Sequence, residues 1–441
     1  MRGIEGALKV LGEVERGAFA SESLRKTIGD IERAERKLAT TIVYLTLRRL
    51  GLWKHLFRKY CKRSPDSISR ETTSMLLVGI AGVLELRHFK PGVLVNALVQ
   101  RAKHIKDADG VSRESALINA VLHTVMEKAP SYVEQLRTSS ALRDQALGFG
   151  VPSWIAAEWS REFGMKEAKR LLHVSTMQTY MALRISPGAD RDECMRNCAE
   201  SKPSLSDFLA SVIRLESNPY PPDLPGYKDG RVTPQSESSV WSVENLLLYW
   251  HGGKLLDMCM GRGIKSGHIL TYCCDAVVEG WDISAARLKS SERELARLGV
   301  ADRAKIVCGD AISLSPSAIP SAILLDAPCS GSGTWGRHPE GKWRTTPESV
   351  RHLVEVQKSL FSRACDILPL GGIIMYCTCS VFRDENEDVV GSVMASRQDM
   401  VELPVKIRNP ESRRGKPYGT VVLPESPWSD GFYTAIFKKK N

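Results

Sequence analysis

The sequence predicts an α/β protein whose C-terminal half is a doubly wound parallel sheet, preceded by an all-α bundle and a small α+β module. Beyond residue 231, strand-like apolar runs alternate with helical ones: Lys254 to Asp257, Ala276 to Trp281, Lys305 to Val307, Ala322 to Leu325 and Ile373 to Tyr376. Such alternation is the pattern of βαβ units covered by helices on both faces. From about residue 20 to 128, apolar residues recur at helical spacing and no convincing strand interrupts them. Between these halves, Asn218 to Gly230 (NPYPPDLPGYKDG) gathers prolines and glycines that neither a helix nor a central strand accommodates, which predicts a domain junction there.

Taken in order, Val93, Leu94, Ala97 and Leu98 follow Pro91 and Gly92 at helical spacing, and Leu117, Ile118, Val121, Leu122 and Val125 continue the pattern. A second helical stretch runs from Pro152 to Thr179, and the short pieces Tyr180 to Ile185 and Phe208 to Leu215 suggest strands of a small module. The expected organisation is a helical domain at 1–145, an α+β linker module at 146–230 and a Rossmann-like domain at 231–441.

The 441 residues are 43% hydrophobic and 25% charged, an ordinary globular mix that excludes a disordered chain or a disulfide-stapled miniprotein. Sixty-one Lys and Arg against fifty-one Asp and Glu leave a net charge of +10, which favours a polyanionic partner such as nucleic acid. Glu5, Glu13 and Glu15 interrupt the start of the chain where a secretory leader needs an apolar core. The longest uncharged apolar run, Met75 to Leu84, is about half of what a bilayer requires and reads as a buried helix. A cytoplasmic protein without a membrane anchor is expected, its eleven cysteines kept as thiols. Between Arg36 and Pro65 there is no acidic residue, and Lys54, Arg58, Lys59 and Lys62 accumulate around Trp53, Phe57 and Tyr60. This stretch suits RNA phosphate contacts with some base stacking, or else an ordinary solvated helix face.

Doubly wound sheets bind ligands beyond the carboxyl ends of their strands. There Asp257 and Cys259 lead into Gly261-Arg262-Gly263, a turn followed by a helix whose free N–H groups suit a carboxylate or phosphate. Asp282 stands where a carboxylate accepts hydrogen bonds from ribose hydroxyls, and Asp310 where one meets an adenine amino group, so an adenosine-containing cofactor is expected. The next two strand ends read Asp326-Ala327-Pro328-Cys329 and Cys377-Thr378-Cys379-Ser380, each delivering a cysteine to the same crevice. Buried structural thiols are the competing explanation. A metal held by Cys329, Cys377 and Cys379, or by Cys194 and Cys198, lacks the paired CxxC spacing, and no metal is expected.

DAPCSGSG (Asp326 to Gly333), RHPEGKWR (Arg337 to Arg344), TCS (Thr378 to Ser380), ENE (Glu385 to Glu387) and DGFYTAIF (Asp430 to Phe437) resemble the RNA cytosine-5 methyltransferases of the Sun/Fmu type. ALINAVLHTV (Ala116 to Val125) and PSW (Pro152 to Trp154) are similar to the NusB-like RNA-binding extension found in the branch of that family acting on small-subunit ribosomal RNA. The first glycine motif, DMCMGRGIKS, keeps the family's Asp257, Cys259, Gly263 and Lys265 but carries Arg262 and Ile264 where the family has proline and a second glycine.

The resemblance implies transfer of a methyl group from S-adenosylmethionine to C5 of a cytosine in ribosomal RNA, without a metal; a monomer is expected. It assigns Cys379 as the nucleophile, Cys329 as the cysteine assisting release, Asp326 as the contact to the base and Lys265 as the basic residue beside it. It places the cofactor against Asp257, Cys259, Gly261, Gly263, Asp282, Arg287, Asp310 and Asp326, and RNA against Arg337, Lys342 and Arg344 besides the basic stretch. A transfer-RNA or large-subunit substrate, or an RNA-binding assembly factor that has lost useful cofactor binding, are the alternatives.

Overall fold

A computed structural model describes residues 2–86, 89–105 and 113–440. Two compact units emerge, one of Met1–Met177 with Trp335–Arg344, the other of Gln178–Thr334 with Thr345–Asn441.

The first unit is helical. Its central helix, Arg70–Glu85, buries Met75 to Gly82 around its whole circumference, which accounts for the long apolar run. Among the described residues, no helix is long and apolar enough to cross a membrane. The helix Leu50–Tyr60 packs Leu52, Trp53, Leu56 and Phe57 into the core and turns Lys54, Arg58 and Lys59 outward. This corrects the stacking expectation for two aromatic residues: Trp53 and Phe57 are 1% and 3% exposed and fill the bundle.

The segment 335–344 lies far along the chain yet folds as part of this helical unit. Its donors meet carbonyls at or just beyond helix C-termini. Lys342 Nζ donates to Arg48 O (3.0 Å) and Ser175 O (3.2 Å), and Trp343 Nε1 to Leu47 O (2.6 Å). Arg344 Nη2 donates to Val14 O (2.7 Å) and Ala18 O (2.6 Å). The recipients close the helices Arg33–Arg48, Met165–Val174 and Arg2–Glu15, whose C-termini attract positive charge. The RNA-contact expectation for Lys342 is corrected here: the side chain is fully buried, with its ammonium bonded to the chain's own carbonyls.

In the second unit, β1 (Ala182–Ile185), β2 (Ser204–Leu205), β3 (Val212–Arg214) and β4 (Val232–Pro234) form an antiparallel sheet in the order β2-β3-β1-β4. Leu183, Ile185, Cys194, Cys198, Ile213, Leu224 and Val232 make its core, so Cys194 and Cys198 are packing residues. The proline-rich segment 218–230 lies inside this unit, joining β3 to β4, and the division falls after Met177. Prolines end strands without separating domains: Leu224 is buried in the small core, and Val232 N donates to Gly226 O (2.9 Å). The expected module at 146–230 is therefore shared, its helices Ser153–Phe163 and Met165–Val174 in the first unit and its strands in the second.

The large sheet comprises β5 (Gly253–Asp257), β6 (Ala276–Asp282), β7 (Ala304–Cys308), β8 (Ala322–Asp326), β9 (Ile373–Thr378), β10 (Met400–Leu403), β11 (Ser412–Arg414), β12 (Thr420–Val422) and β13 (Phe432–Lys439). Its order is β11-β12-β13-β9-β8-β5-β6-β7, with β10 also on β13. The run from β9 to β7 is parallel, and β13 enters antiparallel to β9. β9 is buried at every position, as a strand covered on both faces must be.

Candidate active site

Strand order reverses at β5 and β8: the chain proceeds outward through β6 and β7, then returns to β8 and β9 on the other side. A crevice opens outside the carboxyl ends at such a switch point. β5 ends at Asp257 and β8 at Asp326.

Gly261 and Gly263 take φ of +58° and +75°, the left-handed region that favours glycine, and a Cβ on Gly263 would sit 3.1 Å from Ser291 Cβ. Asp257 is buried below this turn and shapes it: Oδ2 accepts from Ser266 Oγ (2.5 Å) and Oδ1 from Cys259 N (3.3 Å). Burial pushes the Asp257 carboxyl up to about 7, and pushes the half-buried Cys259 thiol well up. Asp282 accepts Gly261 N at Oδ2 (2.9 Å) and Ser284 N at Oδ1 (2.8 Å), with Arg287 Nη1 3.8 Å from Oδ2. Asp310 is exposed at the next strand end, its Oδ1 accepting Ile312 N (3.0 Å). Ile283 and Ile312, passed over in the sequence, are 75% and 42% exposed beside these two carboxylates. Acidic acceptors flanked by bare aliphatic surface, above a glycine turn that leaves open space at Gly261, fit an adenosine moiety. Arg262 is exposed and Ile264 begins the helix Ile264–Tyr272.

Because Asp257 holds its proton more tightly folded than unfolded, the stability it contributes is present below about pH 4 and lost as pH rises to about 7. Asp257→Asn, which stands in for the protonated acid, is expected to flatten the fall in melting temperature across that window. Calorimetry from pH 4 to 7 checks this, and a slope equal to wild type would refute it.

Lys265 Nζ donates to Asp326 Oδ2 (2.5 Å). Burial disfavours the ammonium, but the adjacent Asp326 and thiols outweigh burial and hold it well above its ordinary value. The other carboxylate oxygen, Asp326 Oδ1, lies 3.6 Å from Cys377 Sγ, the residue opposite it in the β8/β9 register. Two residues beyond, Cys379 Sγ lies 3.4 Å from Cys329 Sγ, so the tips of adjacent strands bring these thiols into contact. The hydrogen bond with Cys379 and then burial push the Cys329 thiol well up. Gly333 locks the two loops: its N–H donates to Cys379 O (2.9 Å), and a Cβ there would fall 2.0 Å from Gly431 O. Cys377 and Gly333 had no assigned role in the sequence; the parallel register that aligns Cys377 with Asp326 is the signal that exposes the first. Among the described residues, no group of three or more His, Cys, Asp or Glu could hold a metal ion.

In the helical unit, Lys54, Arg58, Lys59 and Lys62 are exposed, with Lys59 Nζ over the Tyr132 ring (4.3 Å). By contrast Arg49 pairs with Glu85 and Arg63 with Glu114. Arg337 is half-buried in the segment 335–344.

A doubly wound sheet with a glycine turn and acidic strand ends at its switch point defines the class of Rossmann-like domains that bind an adenosine-containing cofactor, here carried with a helical domain. A family model described as 16S rRNA methyltransferase RsmB/F matches residues 246–438, and one described as the NusB family matches residues 5–127. Ribosomal RNA small subunit methyltransferase B of Pasteurella multocida is 32% identical over 449 aligned residues, covering 98% of this chain and 94% of that protein. The protein of the same name from Vibrio vulnificus is 27% identical, covering 97% and 96%. The crystal structure of PH0851 superposes with a TM-score of 0.80 at 20% identity, covering 99% of this chain and 98% of that one. That of NSun6 from Pyrococcus horikoshii with SFG has a TM-score of 0.57 at 18% identity, covering 66% and 98%. The chain belongs to the ribosomal RNA small subunit methyltransferase B family, and is a ribosomal RNA cytosine-5 methyltransferase that uses S-adenosylmethionine.

Proposed function

We propose that the protein methylates C5 of a cytosine in small-subunit ribosomal RNA by a two-cysteine covalent mechanism. The observation that carries this reading is the 3.4 Å contact of Cys329 and Cys379 at adjacent strand tips, beside the Lys265–Asp326 pair. C5 of cytosine is a poor nucleophile until something adds to C6. Cys379 forms that bond, and the electron pair displaced from the C5–C6 double bond makes C5 reactive. Asp282, Arg287, Asp310 and the turn at Gly261 and Gly263 would hold S-adenosylmethionine, which would supply the methyl group there and leave as S-adenosylhomocysteine.

Asp326, fixed at one oxygen by Lys265 and at the other by Cys377, meets the N3 and N4 edge of the base and stabilises charge developing on the ring. Solvent water takes the C5 proton, the C5–H electron pair re-forms the C5–C6 double bond, and the pair of the C6–S bond leaves with the Cys379 sulfur. Cys329, in contact with that sulfur and with its own thiol pushed well up, hydrogen-bonds the departing sulfur and assists release. A base reaches these groups only when unstacked, which suits a loop or an opened RNA helix.

The experiment is transfer of labelled methyl from S-adenosylmethionine to unmodified small-subunit ribosomal RNA, with the product mapped by bisulfite sequencing. A single 5-methylcytosine dependent on Cys379 is expected; transfer to transfer RNA or large-subunit RNA instead would overturn the substrate assignment. The four exposed cations on the helical unit supply phosphate contacts. Their joint replacement by glutamine is expected to weaken RNA binding and reduce the slope of log affinity against log salt by roughly 3. Fluorescence anisotropy over a salt series measures this, and an unchanged slope would make the stretch an ordinary solvated face.

A further inference from the structure

Glu385 is fully buried, yet no cation pairs with it among the described residues. Its carboxylate accepts four hydrogen bonds instead. Oε1 takes Ser330 N (2.8 Å) and Gln357 Nε2 (3.2 Å); Oε2 takes Ser330 Oγ (2.5 Å) and Ser380 Oγ (2.5 Å). Ser330 immediately follows Cys329, and Ser380 immediately follows Cys379. One carboxylate therefore bridges the two loops one residue beyond each sulfur. Gln357, on the helix Pro347–Ile367, also donates to Pro328 O (2.8 Å), which anchors the start of the Cys329 loop. Asn386 braces the other loop, accepting Thr378 Oγ1 (2.5 Å) and donating to Ser380 O (2.9 Å).

We infer that Glu385 is a positioning residue of the methyl-transfer reaction, its carboxylate holding the Cys329 and Cys379 loops as one unit so that the two sulfurs stay in contact. The inference rests on the two-cysteine reading. A buried carboxylate is an expensive way to join two loops, because burial disfavours its charge, as the upward push on its pKa reflects. An apolar side chain would satisfy packing alone, whereas four converging donors need an acceptor with about four lone-pair sites, which an ionised carboxylate has and an amide lacks. The bridge restrains the sulfurs without touching substrate. Release asks Cys329 to meet Cys379 Sγ as the bond to C6 breaks, so loosening the loops impairs release more than cofactor binding.

The test compares full-length wild type with Glu385→Gln and Glu385→Ala. A bridging bimane, fluorescent only when it captures two thiols, reports the proximity of the sulfurs, with Cys329→Ala giving the background from other cysteines. Expected for Glu385→Gln are about a tenfold slower bridging rate, a similar fall in kcat, an unchanged affinity for S-adenosylmethionine and a larger fraction of RNA caught in the covalent adduct. Bridging at the wild-type rate would overturn the inference, as would slower bridging with wild-type turnover and release. If Glu385→Ala fails to fold, Ser330→Ala and Ser380→Ala, each deleting one hydroxyl donor, decide by the same two readouts. Failure of the two-cysteine reading would appear separately, as methyl transfer surviving in Cys379→Ala.

Discussion

Cys379→Ala is expected to lower methyl transfer by roughly 10³-fold or more, because the substitution removes the group that adds to C6 and leaves binding groups intact. Alanine is smaller than cysteine and the sulfur is half-buried, so the fold has little reason to change. Binding of S-adenosylmethionine, measured by calorimetric titration, is expected to match wild type, since Asp282, Asp310 and the glycine turn lie on other strand ends. Residual transfer at a substantial fraction of the wild-type rate would refute the nucleophile assignment. Loss of cofactor binding together with transfer would mean that the crevice had been disturbed, and Cys379→Ser would then separate nucleophilicity from shape.

Cys329→Ala is expected to have the opposite signature: the first bond forms, the methyl group is transferred, and the enzyme remains attached to its product. The physical reason is the 3.4 Å contact between the sulfurs, which puts the Cys329 thiol within reach of the sulfur that leaves C6. Without it the sulfur leaving C6 loses its neighbouring hydrogen-bond partner. A denaturing gel should show an RNA-linked band absent from wild type and absent again in Cys329→Ala with Cys379→Ala. The adduct should carry label from the methyl donor, which locates the block after transfer. Multiple turnover without any adduct would remove Cys329 from the release step.

Much of this was legible in the residues. The five parallel strands were visible as apolar runs, because a strand buried on both faces has no polar side to blur its pattern. The acidic and cysteine residues stood at the ends of those runs, where a doubly wound sheet presents its ligands. The small module and its boundaries were less legible. Prolines at 218–230 marked strand ends and read as a domain edge, since the sequence does not show that Leu224 and Val232 share a core with Leu183. The basic stretch misled in a related way: spacing alone did not separate Trp53 and Phe57, on the buried face of their helix, from Lys54 and Arg58 on the exposed one.

By itself, then, the sequence determined the succession of strands and helices and the chemical types at each strand tip, because periodicity and local residue chemistry are encoded within a few positions. Only the tertiary structure decided which tips meet. Placing β8 beside β9 brings Cys329 to Cys379, a separation of fifty residues along the chain. Folding 335–344 into the helical unit turns Lys342 from a candidate RNA contact into a donor to the carbonyls at helix ends. Both outcomes depend on long-range pairing and on satisfying buried polar groups, constraints that act between segments distant in sequence and so leave no local pattern to read.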